Sequence, residues 1–412
     1  MSEQSVLLIT PQWSRDGGVA THAMASARLL AEHGVRVSAL CARVEPGAAI
    51  PGVTLFHNPA LFDPDASPEA KLGEAMESLP LAVHAHQFED PDVLAAAQAS
   101  APVLISVHGY TACTSGLHYF RPGQECPRAH GPGCVPNLAL RGCAHTRHLR
   151  WVPAAYGRVG RSLQALRSAD LALSYSSTID RHLATNGIAR RRVIPLFTTM
   201  APAVASGHEG RRRVVFAGRV VAPKGIAVLI RAARAVDGEF VICGDGWRLQ
   251  EMRELAERLG VADRVRFTGW LAPDELAREL AEASVVALPS LWPEPFGLVG
   301  IEAFAAGRPV VASRTGGVVD WLEDGVNGLF VEPGDADALA RALNELLADP
   351  QRQRSMGEAG KQLVSARFAP EHHLSALLEA YRDARSAWVA RRAMPADAPA
   401  EAPPAAGVST QA

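Results

Sequence analysis

The sequence predicts an α/β protein made of two doubly wound parallel sheets, one in each half of the chain. Three observations predict it. Short apolar runs alternate with helix-length amphipathic stretches through most of the sequence, the pattern of repeated strand–helix–strand units. Glycines sit where the runs end and helices begin, as in Gly17-Gly18 and Gly218. The 412 residues exceed a single core and suit two domains of roughly 150 to 200 residues each.

In the first half, strands are expected at 6–10, 35–41, 81–84, 103–108, 171–175 and 193–195, with a helix at 19–32 stopped at Gly34. Residues 111–150 show no period and are rich in Gly, Pro, Cys and His, so the stretch from 111 to about 168 is assigned to an insertion. The first domain is placed at 1–197 and a weakly patterned linker at 198–212. The second domain, 213–370, should hold strands at 214–217, 240–243, 265–268, 285–288, 310–313 and 329–331. Helices at 225–235, 247–259, 273–282, 298–306 and 336–347 fill the gaps. A terminal helix is expected at 371–392, and the Ala/Pro-rich residues 393–412 should be disordered.

Hydrophobic content of 48% with 20% charged residues is that of a globular protein, and a net charge of −2 argues against a nucleic-acid partner. No apolar run reaches the ~18 residues of a spanning helix. The apolar run 6–9 is too short for a signal peptide and follows no basic segment, so a cytoplasmic protein is expected. Six cysteines in a chain of this size do not describe a disulfide scaffold.

The stretch 289–307, PSLWPEPFGLVGIEAFAAG, carries the densest chemistry. Pro293 and Pro295 bias the chain away from helix until Gly297, which fixes a sharp helix start. The free amides from Gly297 to Gly300, including those of Leu298 and Val299, should attract an anion. Every residue from 298 to 306 is apolar or small except Glu302. A carboxylate there costs several kcal/mol or shifts its pKa, unless hydrogen bonds reach it. Glu294, by contrast, also fits an ordinary helix-entry position. Anion-binding amides beside two carboxylates suit a ligand that combines phosphate with hydroxyls. Arg219 and Lys224 follow a strand at its carboxyl end, where open α/β sheets bind ligands, and a guanidinium with an ammonium suits a diphosphate.

These motifs resemble the retaining glycosyltransferases of family 4, which have the GT-B fold: two Rossmann-like domains facing across a cleft. Glu294 and Glu302 stand eight apart, as in that family's E-x7-E motif. Gly218-Arg219 with Lys224-Gly225 resembles its GR-x4-KG loop, and Cys243-Gly244-Asp245-Gly246 its strand-end G-x-G turn. Thr315-Gly316-Gly317 with Asn327-Gly328 is similar to its TGG…NG closure. The resemblance covers roughly 213–368 strongly. It is looser in the first half, where it rests on Gly17-Gly18 and on His108-Gly109.

The resemblance implies a metal-independent enzyme without a cofactor, which moves a hexosyl-type sugar from a nucleoside diphosphate, most commonly UDP, to an acceptor hydroxyl. Catalytic roles would fall to Glu294, His108, Arg219 and Lys224. Glu294 would bond the sugar hydroxyls, Glu302 the ribose, and Arg219 with Lys224 the diphosphate. Phe296, Gly297, Leu298 and Val299 complete the donor-binding motif. Gly17 and Gly18 would lie beside the diphosphate and acceptor, His108 near the reacting carbon, and Gly269 and Trp270 beside the base. The terminal helix would cross back to the first domain. The acceptor is open among glycans, glycolipids and small molecules. Alternatives are a GT-B sugar-nucleotide epimerase and a binding scaffold without turnover. An NAD-dependent dehydrogenase is disfavoured because no G-x-G-x-x-G follows the first strand.

Three further features stay open. His84 and His86 end a predicted strand and are read as core histidines. Cys113, Cys126, Cys134 and Cys143, with His118, His130 and His145 nearby, could hold zinc, but no C-x2-C pair is present. Seven arginines and no acidic residue between 126 and 169 form a solvated face, a groove for an anionic acceptor or a patch for peripheral membrane contact.

Overall fold

The computed structural model describes residues 5–14, 17–77, 80–115, 119–121, 124–140, 149–200 and 212–393. The first sheet has seven parallel strands: β1 (Ser5–Trp13), β2 (Arg36–Val44), β3 (Val53–His57), β4 (Ala82–His86), β5 (Val103–Val107), β6 (Leu171–Ser174) and β7 (Arg191–Val193). Their order is β3-β2-β1-β4-β5-β6-β7. The second has six: β8 (Arg213–Ala217), β9 (Glu239–Cys243), β10 (Val265–Gly269), β11 (Val285–Leu288), β12 (Val310–Ser313) and β13 (Gly328–Val331). Their order is β10-β9-β8-β11-β12-β13. Both sheets reverse direction beside their own first strand, which is where doubly wound sheets open a crevice at the carboxyl ends. The strands there are buried on both faces, as β4, β5, β8, β11 and β12 show at every position.

Three elements depart from expectation. β3 was not foreseen, because VTLFH is half-exposed at a sheet edge and carries a weak signal. The helix Pro350–Arg367 was also missed, being mostly polar and burying only Met356, Gly357 and Gly360. Residues 152–168 are not insertion: Val152–Ser168 is the helix that carries the chain from β5 to β6. Val152, Ala155, Val159, Leu163 and Leu166 recur at helical spacing along its buried side. The expected insertion keeps a short hairpin, Tyr119–Arg121 with Gln124–Glu125, and the helix Cys134–Leu140. Most of the expected linker (201–211) and the tail (394–412) lie outside the described residues.

The terminal helix Pro370–Ala393 returns to the first domain. Leu374, Leu377, Ala380, Tyr381 and Ala384 enter the same core as Leu8, Leu29 and Val37. The Tyr381 hydroxyl lies 2.8 Å from His84 Nδ1, and Trp388 Nε1 donates to the Gln98 carbonyl at 2.9 Å. Arg391 pairs with the fully buried Asp170.

Candidate active site

The loop after β8 and the loop after β11 are stitched together by backbone. Leu291 N–H donates to the Pro223 carbonyl at 2.8 Å. Gly225 adopts φ +72°, and a Cβ there would stand 1.7 Å from the Pro289 carbonyl oxygen, so only glycine permits the approach. This contact sets Lys224 against Glu294, with Nζ 2.8 Å from Oε1 and 3.0 Å from Oε2. Ser290 Oγ and Trp292 Nε1 also donate to Oε1, at 2.5 and 3.0 Å. Burial opposes ionisation of Glu294, but the Lys224 charge and these hydrogen bonds outweigh it and hold the carboxyl below its ordinary range. Ser290 and Trp292 had no legible sequence signal, since each becomes a ligand of Glu294 only when the loop closes.

The helix Leu298–Ala305 begins at Gly297, which sits at φ +85° with no side chain capping the first turn. Its start is fixed by Trp321: the indole Nε1 donates to the Phe296 carbonyl at 2.7 Å, and the ring fills the space a Gly300 Cβ would occupy. The amides of Leu298 and Val299 are thereby held at an uncapped N-terminus, an anion-seeking arrangement. The Phe296 side chain is 3% exposed and packs on Phe368 in the core. Glu302 lies on the next turn, half-buried, its carboxylate without a hydrogen bond or ion pair among the described residues. Burial pushes its carboxyl up to about 7.

Arg219 is exposed on the β8 loop, with no partner among the described residues. That loop and the β9 loop interlock through glycines, because a Cβ on Gly244 would stand 1.9 Å from the Gly218 carbonyl oxygen. Gly244 N–H then donates to the Gly269 carbonyl at 2.8 Å, which joins the β9 and β10 ends. Trp270 follows at 54% exposure and Trp247 at 76%. Both indoles are open to solvent, and the sequence pattern marks Trp247 only as a helix start.

The first domain contributes the other wall. Gly17, at φ +90°, and Gly18 start the helix Gly18–Glu32 without a capping side chain, while Arg15 and Asp16 lie outside the described residues. His108 follows β5 and is half-buried, with Nε2 3.2 Å from His86 Nδ1 and 3.4 Å from the Tyr175 hydroxyl. Burial holds its imidazole down at about 3, so it is neutral. Tyr110, two residues on, meets Trp292 of the second domain with ring centroids 6.1 Å apart. A second contact closes the crevice, where Asp320 accepts from Ser177 N–H at 2.7 Å and Ser177 Oγ at 2.5 Å. It caps the first turn of the helix Ser177–Thr185 from across the gap.

In the insertion, Cys113, Cys126 and Cys134 are free thiols, and Cys143, His118 and His145 lie outside the described residues. Among the described residues no group of three His, Cys, Asp or Glu stands within metal-binding reach. Among the described arginines of this stretch, Arg161 pairs with Asp90 and Asp92, and Arg167 donates to the Asn186 carbonyl. Among the described residues no helix is long and apolar enough to cross a membrane.

Known proteins can be set beside this geometry. Residues 203–363 match the family described as Glycosyl transferases group 1. The chain is 37% identical over 167 residues to the lipopolysaccharide core biosynthesis glycosyltransferase LpsE of Rhizobium meliloti (strain 1021), covering 40% of this chain and 48% of that one. It is 40% identical over 169 residues to the GDP-mannose-dependent alpha-(1-6)-phosphatidylinositol monomannoside mannosyltransferase of Mycobacterium tuberculosis (strain CDC 1551 / Oshkosh), covering 38% of this chain and 44% of that one. The chain thus spans about half the length of the curated relatives it matches. Two solved structures share the whole architecture. Anabaena HepE in complex with UDP and glucose superposes with a TM-score of 0.69 at 20% identity, covering 92% of this chain and 99% of that one. Sucrose-phosphate synthase from Thermosynechococcus elongatus gives 0.70 at 23% identity, covering 93% and 100%. The chain thus shares the GT-B fold of these structures, and its residues 203–363 match the glycosyl transferases group 1.

Proposed function

We propose that the protein is a retaining, metal-independent glycosyltransferase, moving a hexosyl-type sugar from a nucleoside-diphosphate donor, UDP first, to an acceptor hydroxyl. The observation that carries the reading is the arrangement after β11: an uncapped helix N-terminus, with Glu302 one turn in and a Lys224–Glu294 pair at its mouth. Phosphate charge suits the amides and the cations, and hydroxyls suit the carboxylates. Arg219, Lys224 and the amides of Leu298 and Val299 would stabilise the charge that grows on the diphosphate as the glycosidic bond breaks, through donors fixed in advance. In this reading the anomeric carbon–phosphate oxygen bond breaks and the acceptor oxygen bonds to the same face. The acceptor's proton passes to the leaving phosphate oxygen.

Glu294, with His108 opposite, orients the sugar, while Gly17 and Gly18 let the diphosphate approach backbone amides. Gly269 and Trp270 flank the base. UDP is favoured because a fold relative binds it, and GDP is the first alternative because a sequence relative is named for GDP-mannose. The acceptor belongs to cell-surface polysaccharide, glycolipid or secondary-metabolite chemistry. We place the enzyme in the cytoplasm, with peripheral membrane contact through the first domain's free arginines, Arg150 and Arg158 among the described residues.

The test is release of nucleoside diphosphate from UDP-glucose and GDP-mannose, with and without candidate acceptors. Acceptor-dependent release supports transfer. Sugar interconversion without release means an epimerase, and binding without either means a scaffold.

A further inference from the structure

Beneath the first wall of the crevice lies a cluster of imidazoles contributed by four separate elements. His22 comes from the helix Gly18–Glu32, His84 and His86 from β4, His108 from the end of β5, and His373 from the terminal helix. His22 meets His86 at a tilt and His108 and His373 edge-on, with centroids 5.9, 5.5 and 5.3 Å away. His84 is satisfied at both nitrogens, by the Tyr381 hydroxyl at 2.8 Å and by Ser106 Oγ at 2.7 Å. His86 is not. It is fully buried, its Nδ1 meets His108 Nε2, and its Nε2 has neither a partner nor solvent.

Two neutral arrangements fit that contact. If His108 donates from Nε2, the proton of His86 must sit on Nε2, as an unpaired N–H sealed in the core. If His86 donates from Nδ1, only a lone pair is left without a partner. Orphaned buried N–H groups are the rarer defect, and leaving one unmade costs its full desolvation. The Tyr175 hydroxyl, 3.4 Å from the same His108 nitrogen, can donate to it only in the second arrangement, sharing its single lone pair with His86. That arrangement places the proton of His108 on Nδ1, which meets no protein group among the described residues.

We propose that His86 is a positioning residue: its Nδ1–H holds His108 in the Nδ1–H tautomer, so that His108 presents a hydrogen-bond donor to the sugar. This rests on the reading above, in which His108 faces the donor. His86 touches no substrate and acts through His108. The surrounding rings stay neutral because burial and their mutual proximity hold them below the ordinary imidazole range, so the cluster fixes a proton's place without carrying charge.

The tautomer is read by long-range proton–nitrogen spectra of the ¹⁵N-histidine-labelled full chain. The proposal expects a protonated Nδ1 and a bare Nε2 on His108, and the opposite pattern in the wild type overturns it even if no variant folds. His86→Phe should lower nucleotide release from the active donor, UDP-glucose or GDP-mannose, by about tenfold, the scale of one oriented hydrogen bond. Affinity for free UDP or GDP, which lack the sugar, should stay within about twofold. His86→Gln, whose amide can donate to the same nitrogen, should recover part of the loss. If His108→Ala slows turnover while His86→Phe does not, the positioning role is wrong. If His108→Ala itself has no effect, the reading of His108 beneath it has failed.

Discussion

Lys224 Nζ lies within 3.0 Å of both carboxylate oxygens of Glu294, while Glu294 is only 3% exposed. The two residues therefore act as a single group, and neutralising one strands the other. Lys224→Met should cut turnover roughly 10²-fold, the scale of losing one preorganised donor. It should also lower Tm. Breaking a buried pair costs about 3–5 kcal/mol, and the low end applies because the Lys224 side chain is 24% exposed. Lys361→Ala, on the helix Pro350–Arg367, is the comparison for turnover. Lys71 is a poor one, being buried and bonded to Asp90. Equal turnover losses at Lys224 and Lys361 would make Lys224 an ordinary loop cation.

Glu302 gives donor binding a pH dependence. Its carboxyl titrates at about 7 because burial disfavours the charge. Ribose hydroxyls donate to the ionised form, so affinity should be full above pH 7 and fall as the carboxyl protonates below it. Nucleotide Kd measured from pH 5.5 to 8.5 should rise toward acid in the wild type and stay flat in Glu302→Gln. A wild-type Kd independent of pH would remove the ribose assignment.

The Asp320–Ser177 contact should hold the two domains together. Asp320→Ala removes both hydrogen bonds, and bonds to a charged acceptor are among the stronger ones. Small-angle scattering should report a larger radius of gyration, and donor KM should rise by roughly tenfold. Ser177→Ala keeps the backbone bond and should fall between. Superimposable scattering curves for Asp320→Ala and wild type would count against a clasp.

Acid should unfold the first domain through its imidazoles. His84 and His108 are held at about 3 and His373 at about 4 by burial, against an ordinary value near 6.5. The folded state thus refuses protons that the unfolded chain accepts. Stability is unaffected by these groups above pH 6.5 and falls as pH drops toward 3, by up to about 1.4 kcal/mol per unit for each histidine. Glu302 and Glu89 act oppositely, since their raised pKa values favour the folded state toward acid down to about 4.5, but they are two groups against five, because His22 and His86 are held down as well. Denaturant midpoints at pH 7.5 and 5 should differ accordingly, and identical midpoints would contradict the buried cluster.

The second sheet was almost wholly legible in the sequence, because strands buried on both faces read as continuous apolar runs between glycine turns. Val285–Leu288 and Val310–Ser313 were placed to the residue. The half-exposed β3 and the polar helix Pro350–Arg367 were not, since neither carries an apolar stripe strong enough to see. At the site, Glu302 announced itself as the one charge in an apolar helix. The partnership of Glu294 with Ser290 and Trp292 depends on a loop closure that spacing alone does not encode. Asp320 meeting Ser177, and four elements converging on His86, are long-range contacts for which one sequence offers no local trace.

The return of the Pro370–Ala393 helix sets the order in which the protein can be made. Tyr381 and its neighbours complete the core beneath β1, β2 and β4, yet the ribosome delivers them after every strand of the second sheet. During synthesis the amino-terminal half must therefore wait, with part of its apolar face uncovered, while its successor assembles. Cutting the gene between the two halves would produce one orphan lacking its last wall and one carrying a helix with nowhere to lie.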